Sequence, residues 1–366
     1  MSKPIKVLAL TKYSSNGASS RLRTMQYLPY LQTKGFEIEV HSLYSKDYLT
    51  GLYSAGKRKG VLACYFSRLK VLFSLYRYDL IWVEKEVFPY CPALVERMLK
   101  LFKIPYVVDY DDAIYAHYQH SKHWWARLLL KNKISKVMQL SSHVSAGNQH
   151  LADYASSSGA KAVSVIPTVP DLERYKLAKP SARQSLVVGW IGSPTTQVYL
   201  YDIAEQLAWV TKKYNITLRL MGATEAVKQL LPNTNLEVLP WSEAEEVPFI
   251  QSLDVGIMPL KDGPWEKGKC GYKLIQYMAC GVSVIGSPVG VNTNIVTESQ
   301  SGLLADSAES WGEALNTLLE SPEMRRAYAV KGRAAVEQYY SLQVQQKELE
   351  SIWRKVAEAK HKRNLS

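Results

Sequence analysis

Hydrophobic and polar positions alternate along the chain in two successive series of the same kind. Short β-branched runs at 5–11 (IKVLALT), 36–43 (FEIEVHSL), 79–85 (DLIWVEK), 105–112 (PYVVDYDD), 143–147 (HVSAG) and 162–167 (AVSVIP) predict strands, with amphipathic stretches of helical length between them. Residues 168–184 (TVPDLERYKLAKPSARQ) are polar, carry prolines and show no period, which predicts a linker. The alternation then restarts at 185–192 (SLVVGWIG), 216–222 (ITLRLMG), 235–241 (NLEVLPW), 254–260 (DVGIMPL), 282–288 (VSVIGSP) and 302–306 (GLLAD). Strands alternating with helices are the signature of βαβ units and a mostly parallel sheet. The pattern therefore predicts an α/β chain of two Rossmann-like, doubly wound domains, one over 1–168 and one over 185–340. From Ser310 to about His361 it predicts consecutive helices with a break near Tyr340 and Ser341. Residues 341–366 are expected as a terminal helix and basic tail packing back toward the N-terminal domain. Ligands of such sheets sit beyond the carboxyl ends of the strands, so two domains facing each other predict a site in a cleft.

A chain of 366 residues can bury two cores. With 47% hydrophobic and 21% charged residues, 20 Gly and 16 Pro, it belongs to no fibrous, collagenous or low-complexity class. The cysteines Cys64, Cys91, Cys270 and Cys280 form no CxxC pair and have neither disulfide-framework nor zinc spacing, which points to a reducing, cytoplasmic compartment. The start, MSKPIKVLAL, runs directly into a strand and predicts no signal peptide. No apolar stretch approaches the roughly 18 residues that span a bilayer, so any expected membrane contact is peripheral. The net charge of +12 would draw nucleic acid, anionic lipid or phosphate-bearing small molecules, and charge alone does not choose among them.

The densest cluster of unusual residues runs from 254 to 292. A strand ends at Leu260, a Gly/Pro/Lys loop continues to Lys269, and a helix begins near Gly271. Backbone N–H groups and the positive end of a helix dipole, with Lys267, Lys269 and Lys273 nearby, make a diphosphate cradle. The plain alternative is a glycine-rich connection with solvated lysines. A second strand–turn–helix loop, 189–200, offers Gly192 for close backbone approach and Ser193, Thr195 and Thr196 as hydroxyl donors or as helix caps. Together the loops outline a nucleotide-diphosphate pocket.

The segment 254–292, with Met-Ala-Cys-Gly at 278–281 and Ser-Pro-Val-Gly at 287–290, resembles the donor-binding segment of family 4 glycosyltransferases, retaining enzymes of the two-domain GT-B fold. Residues 17–40, 107–115, 145–155 and 165–175 are similar to the same family, so the likeness covers nearly the whole chain. It implies a nucleoside-diphosphate-sugar donor, UDP- or GDP-linked, and a glycan or lipid-linked glycan acceptor in bacterial surface polysaccharide assembly. It implies no metal, no other cofactor and no nucleic-acid partner. The family's two-glutamate motif falls on Gly268 and Gln276; Gln276 keeps the means to hold the ribose, while Glu266 or Asp262 is left to replace the missing first carboxylate. The family's two diphosphate-clamping cations fall near Ser193 and Val198, so Lys269 or Lys273 is expected to supply that charge. By this resemblance the donor would touch Gly192, Ser193, Trp241, Lys269, Cys270, Gly271, Tyr272, Lys273 and Gln276. Asp111, Glu266 and Lys269 would be catalytic, and Ser20, Arg21 and Arg23 would face the acceptor.

Several features carry open alternatives. Asp109, Asp111 and Asp112 at one strand end would repel one another and raise one pKa, or one would cap the next segment. His117, His120 and His123 recur every third residue, a spacing that fans out on a helix and does not converge on a metal. The basic, aromatic-rich segments 56–78 and 121–138 fit interfacial membrane helices or ordinary crossover helices with a solvated basic face. Rival functions are a nucleotide-sugar 2-epimerase of the same architecture and a non-catalytic basic binder of nucleic acid or anionic glycan.

Overall fold

The structure is a computed structural model that describes residues 3–45, 48, 60–177, 185–232 and 234–365. The chain divides into two compact units: Met1–Thr168 with Gly268–Cys270 and Gln345–Ser366, and Val169–Lys267 with Gly271–Val344.

In the first unit, β1 (Ile5–Tyr13), β2 (Phe36–Tyr44), β3 (Leu80–Glu84), β4 (Tyr106–Tyr110), β5 (His143–Ala146) and β6 (Val163–Val165) form one sheet in the order β2-β1-β3-β4-β5-β6. All its pairings are parallel. β3 stops one residue short of its predicted end because Lys85 turns into the left-handed region at φ 66°. The chain steps from β1 to β2 in one direction and from β2, past β1, through β3 to β6 in the other. Right-handed crossovers therefore put the helices Val61–Leu72, Leu94–Leu101, Lys133–Leu140 and Gln149–Ser157 on one face of the sheet.

The opposite face is closed partly by the final helix, Leu342–Leu365, from Gln345 onward. Its Trp353 is fully buried, with ring centroids 5.4 Å from Phe36 and 4.8 Å from Trp82. Tyr30 Oη donates to Glu350 Oε2 at 2.7 Å.

In the second unit, β7 (Val187–Ile191), β8 (Thr217–Met221), β9 (Leu236–Leu239), β10 (Val255–Met258), β11 (Ser283–Gly286) and β12 (Gly302–Leu304) form a parallel sheet in the order β12-β11-β10-β7-β8-β9. Every strand that the alternation predicts is present; β1 and β2 run two and one residues past their predicted ends, and the other ten are trimmed by one or two residues at an end. The predicted linker differs. Residues 178–184 lie outside the described residues, and 168–177 are irregular yet bury Val169 and Tyr175. Irregular backbone has no period, so this burial leaves no pattern in the sequence.

The order reverses between β7 and β10, and there the strands part. Their backbone pairing covers only Val188 with Val255 and Gly189 with Gly256. Beyond it the Tyr277 hydroxyl, on the helix Tyr272–Ala279, accepts from Ile191 N at 3.0 Å and donates to Ile257 O at 3.3 Å. Its ring lies against Gly256, where an added methyl would come within 2.4 Å of it.

Tyr277→Phe keeps this packing but leaves a buried N–H and C=O unpaired. It is expected to lower the stability of the second unit by about 1–3 kcal/mol in urea denaturation. An unchanged midpoint would remove the hydroxyl from the account of how β7 and β10 are held.

Candidate active site

In the second unit, three loops follow the adjacent strands β7, β10 and β11 on the carboxyl edge of the sheet. The β10 loop carries the one-turn helix Glu266–Gly268 and ends at Gly271, which caps the helix Tyr272–Ala279 at φ 64° without a side-chain bond to its first-turn amides. The helix N-terminus thus carries a partial positive charge on backbone N–H groups. Half-buried Lys273, on its first turn, sets its ammonium 4.5 Å from the centroid of the Trp190 ring in β7. Gly192 borders both groups. A Cβ there would fall 2.2 Å from the Trp190 ring and 2.9 Å from Lys273 Nζ, so only glycine lets the lysine reach this loop. Lys273, one of the two lysines that the sequence offered for a diphosphate, is brought to the β7 loop.

The β7 loop is tied internally. Ser193 N donates to Thr196 Oγ1 at 3.1 Å, and the Ser193 and Thr195 hydroxyls lie 2.9 Å apart. Tyr199 Oη donates to Glu266 Oε1, joining the short helix Gln197–Ile203 to the β10 loop. Trp241, beyond the end of β9, donates Nε1 to Glu246 Oε2 at 3.0 Å and keeps 39% of its surface exposed. Gln276 is buried and donates Nε2 to Tyr175 Oη at 2.7 Å; the tyrosine in turn donates to Glu246 and lies 3.4 Å from Tyr272 Oη. This tyrosine is the group by which the irregular segment after Thr168 enters the site. Asn292, on the first turn of the helix Val291–Ser299, was not singled out by sequence reasoning. Its Nδ2 is buried without a hydrogen-bond partner, and its Oδ1 lies 3.2 Å from where a Gly271 Cβ would stand.

In the first unit, charged groups gather where β1, β3 and β4 end. Lys85 Nζ lies 2.7 Å from Asp111 Oδ1 and 3.8 Å from Asp112 Oδ2, and Ser19 Oγ donates to Asp111 Oδ2 at 2.5 Å. Burial alone would raise the Asp111 pKa, but Lys85, Ser19 and Arg23 outweigh it and hold the carboxyl at about 2. Asp112 goes the other way, raised by burial and by the charge of Asp111. Lys12 is lowered by burial and by Lys85. Neither Lys12 nor Lys85 was picked out from sequence; the signal available was a pair of charges, Glu84 and Lys85, directly after the apolar run LIWV.

Two residues expected at the acceptor turn inward instead. Arg23 is buried, donating Nε and Nη2 to the two carboxylate oxygens of Asp109 at 2.9 and 2.6 Å and Nη1 to Ile166 O at 2.6 Å. Ser20 is buried, donating to Glu84 Oε2 at 2.6 Å and accepting from Tyr13 N at 3.0 Å. On the helix Ala18–Arg23 these two positions are three apart and share the inner face. Arg21, between them, is half-buried and reaches Ser15 O at 3.5 Å.

The residues Gly268–Cys270 belong to this unit. Lys269 O accepts from Asn148 Nδ2 at 2.8 Å, and the Lys269 charge favours ionised Asp112. Cys270 Sγ donates to Asp111 O at 3.1 Å, and burial pushes its thiol up to about 12. His117, His120 and His123 are exposed, and among the described residues no group of three or more His, Cys, Asp or Glu could hold a metal ion.

Residues 185–321 match a family model described as Glycosyl transferases group 1. No curated protein sequence matches. Among solved structures, the chain is similar to Anabaena HepE in complex with UDP-glucose, at 18% identity over 96% of this chain and 100% of that one with a TM-score of 0.72. It is similar to sucrose-phosphate synthase from Thermosynechococcus elongatus at 15% identity over 97% and 100%, TM-score 0.71. WaaG, a glycosyltransferase involved in lipopolysaccharide biosynthesis, aligns at 14% identity over 95% and 99%, TM-score 0.65. At these identities the likeness is one of fold, and the chain has the two-domain, Rossmann-like GT-B fold.

The depressed Asp111 pKa fixes a sign. A carboxyl held at about 2 against an ordinary 3.8 contributes stability above pH 3.8, and that contribution is lost as the pH falls toward 2. Asp111→Asn is expected to lower stability at neutral pH and to flatten the acid-unfolding profile in that window, followed by circular dichroism. An unaltered slope would mean that Asp111 is not held ionised by Lys85.

Proposed function

We propose that the chain is a glycosyltransferase that moves a sugar from a nucleoside diphosphate to a glycan or lipid-linked glycan acceptor, with retention of anomeric configuration and without a metal ion. The observation that carries this reading is the meeting of the Lys273 ammonium, the helix N-terminus at Gly271 and the Gly192 loop at the switch point of the second sheet. It lies within the stretch that matches the Glycosyl transferases group 1 model.

The chemistry follows from charge. When the bond from the anomeric carbon to the diphosphate oxygen breaks, negative charge grows on the leaving group, and preorganised N–H donors and an ammonium stabilise it without reorganising. Lys273 and the first-turn amides supply these. Asn292 Nδ2 adds a donor on the neighbouring helix. Trp241 offers an exposed ring for the base, and Gln276 offers its carboxamide to the ribose. Glu266, fixed by Tyr199, can accept from hydroxyls of the transferred sugar. For Asp111 and Lys269 the proposal rests on the sequence resemblance. The acceptor oxygen attacks on the face that the diphosphate leaves, and its proton passes to a phosphate oxygen of the leaving group.

UDP is the first donor nucleotide to test, since HepE was solved with UDP-glucose; the pathway proposed is bacterial surface polysaccharide assembly at the cytoplasmic side.

A nucleoside diphosphate at 100 times its Kd is expected to stabilise the chain by about 2.7 kcal/mol in thermal denaturation. Lys273→Ala is expected to weaken that binding about tenfold to a hundredfold while changing the affinity for the bare nucleoside little, because the lysine answers to the phosphates. Release of nucleoside diphosphate that depends on an added glycan separates transfer from 2-epimerisation. If UDP, GDP and ADP all fail to bind, the reading is wrong.

A further inference from the structure

Three helices on one face of the first sheet, unlike Lys133–Leu140 and Gln149–Ser157 on the same face, turn large apolar side chains to the outside. On Val61–Leu72 and the residue after it, Leu62, Phe66, Leu69 and Phe73 follow at spacings of four, three and four, which at about 100° per residue keeps them on one narrow stripe. That stripe points outward: Leu62, Phe66 and Phe73 expose 75, 64 and 77% of their surface. The inward side of the same helix carries Arg68, buried, which donates Nη2 to Thr11 O at 2.5 Å and to His41 O at 2.9 Å. Burial lowers this guanidinium to about 10.

The next crossover repeats the arrangement. On Leu94–Leu101 the residues Leu94, Met98 and Leu101 face out, while Glu96 is buried and accepts from Val87 N at 3.0 Å. On Trp124–Leu130, Trp124, Leu128 and Leu129 expose 68, 66 and 67% of their surface. Both of these helices pack against Lys133–Leu140. The loop after β3 ties Val61–Leu72 to that same helix Lys133–Leu140: Tyr65 Oη donates to Pro89 O at 2.7 Å, and Lys133, buried, donates to Phe88 O at 2.5 Å and pairs with Glu86. The stripes are therefore neighbours on one face.

Charge in the segments that carry these stripes has one sign, whereas Gln149–Ser157, at the other end of the same face, carries the exposed Asp153. The segments 60–78, 89–105 and 119–140 contain a single acidic residue, Glu96, which is the buried one. Lys70, Arg77, Arg97, Lys100, Lys122 and Arg127 are all exposed there, around the apolar stripes. Exposed apolar stripes rimmed by cations and free of exposed acid match an anionic lipid surface in both hydrophobicity and charge. Among the described residues no helix is long and apolar enough to cross a membrane.

We propose that this face of the first unit is an interfacial membrane-docking surface for anionic phospholipid, with the three helices lying in the headgroup layer and their aliphatic and aromatic side chains entering the acyl boundary. The inference deepens the proposed function, on which it rests for one point, that the acceptor is lipid-linked.

The test is flotation of the full chain with vesicles of phosphatidylcholine alone or of an equimolar mixture with phosphatidylglycerol. Binding to the anionic vesicles is expected to exceed that to the neutral ones by at least about tenfold and to fall as salt is raised. Phe66→Ser with Phe73→Ser, or Trp124→Ser with Leu128→Ser, is expected to reduce binding by about tenfold or more. Arg97→Gln with Arg127→Gln is expected to remove much of the salt-sensitive share, and it probes the surface even if an apolar variant fails to fold. Equal binding to both vesicles, variants that bind like the parent, or a dimer in solution that the apolar variants turn into monomers would each overturn the assignment. UDP binding is measured on the same samples. Vesicle binding without nucleotide binding would sink the transferase reading alone, and the converse would sink the docking surface alone.

Discussion

Everything that positions the candidate site depends on one constraint: where a doubly wound sheet reverses its strand order, two hydrogen-bonded strands must part, and the backbone groups they release must still be satisfied. In the second unit a tyrosine meets it. The Tyr277 hydroxyl accepts from one strand and donates to the other, so the helix that carries it is fixed to β7 and β10 together. Lys273, one turn earlier on that helix, is thereby fixed over Trp190. The geometry of the cation follows from the geometry of the gap.

The first unit meets the same constraint with a carboxylate. Pairing of β1 with β3 ends at Leu10 and Val83, and next to it Glu84 Oε2 accepts from Lys12 N at 2.9 Å and from Ser20 Oγ at 2.6 Å. A buried acceptor there is costly, and burial raises the Glu84 pKa. The charges around it form alternating pairs, Lys85 with Asp111 and Arg23 with Asp109, so that each buried ion has a partner. Such a network is rigid because losing any member leaves another charge unpaired. That rigidity explains why Arg23 and Ser20 serve the scaffold while Asp111 stays ionised beside a lysine.

The helices of the first unit show a second use of buried charge. Arg68 and Glu96 take inward positions that a crossover helix normally fills with leucine or valine, and large apolar side chains of the same helices stand outside. A pattern of alternating hydrophobicity registers that a helix is amphipathic, but not which side meets the sheet.

The sequence by itself determined the twelve strands, their division into two series, the parallel architecture and the start of the helix at Gly271. These are local properties: β-branched runs, turn residues and periods of two or 3.6 residues leave marks in consecutive positions. It also identified the lysine-bearing loop, because glycines and cations clustered there in the chain. Tertiary structure alone decided that Lys273 reaches Gly192, that Tyr175 in an irregular segment anchors Gln276, that Lys85 faces Asp111, and that Arg23 is sealed against Asp109. Each of these joins residues far apart in the chain, and a side chain's partner across such a distance is set by the packing of strands and helices rather than by its neighbours in sequence. The same reason governs the inverted helices, where only the sheet beneath defines the inside.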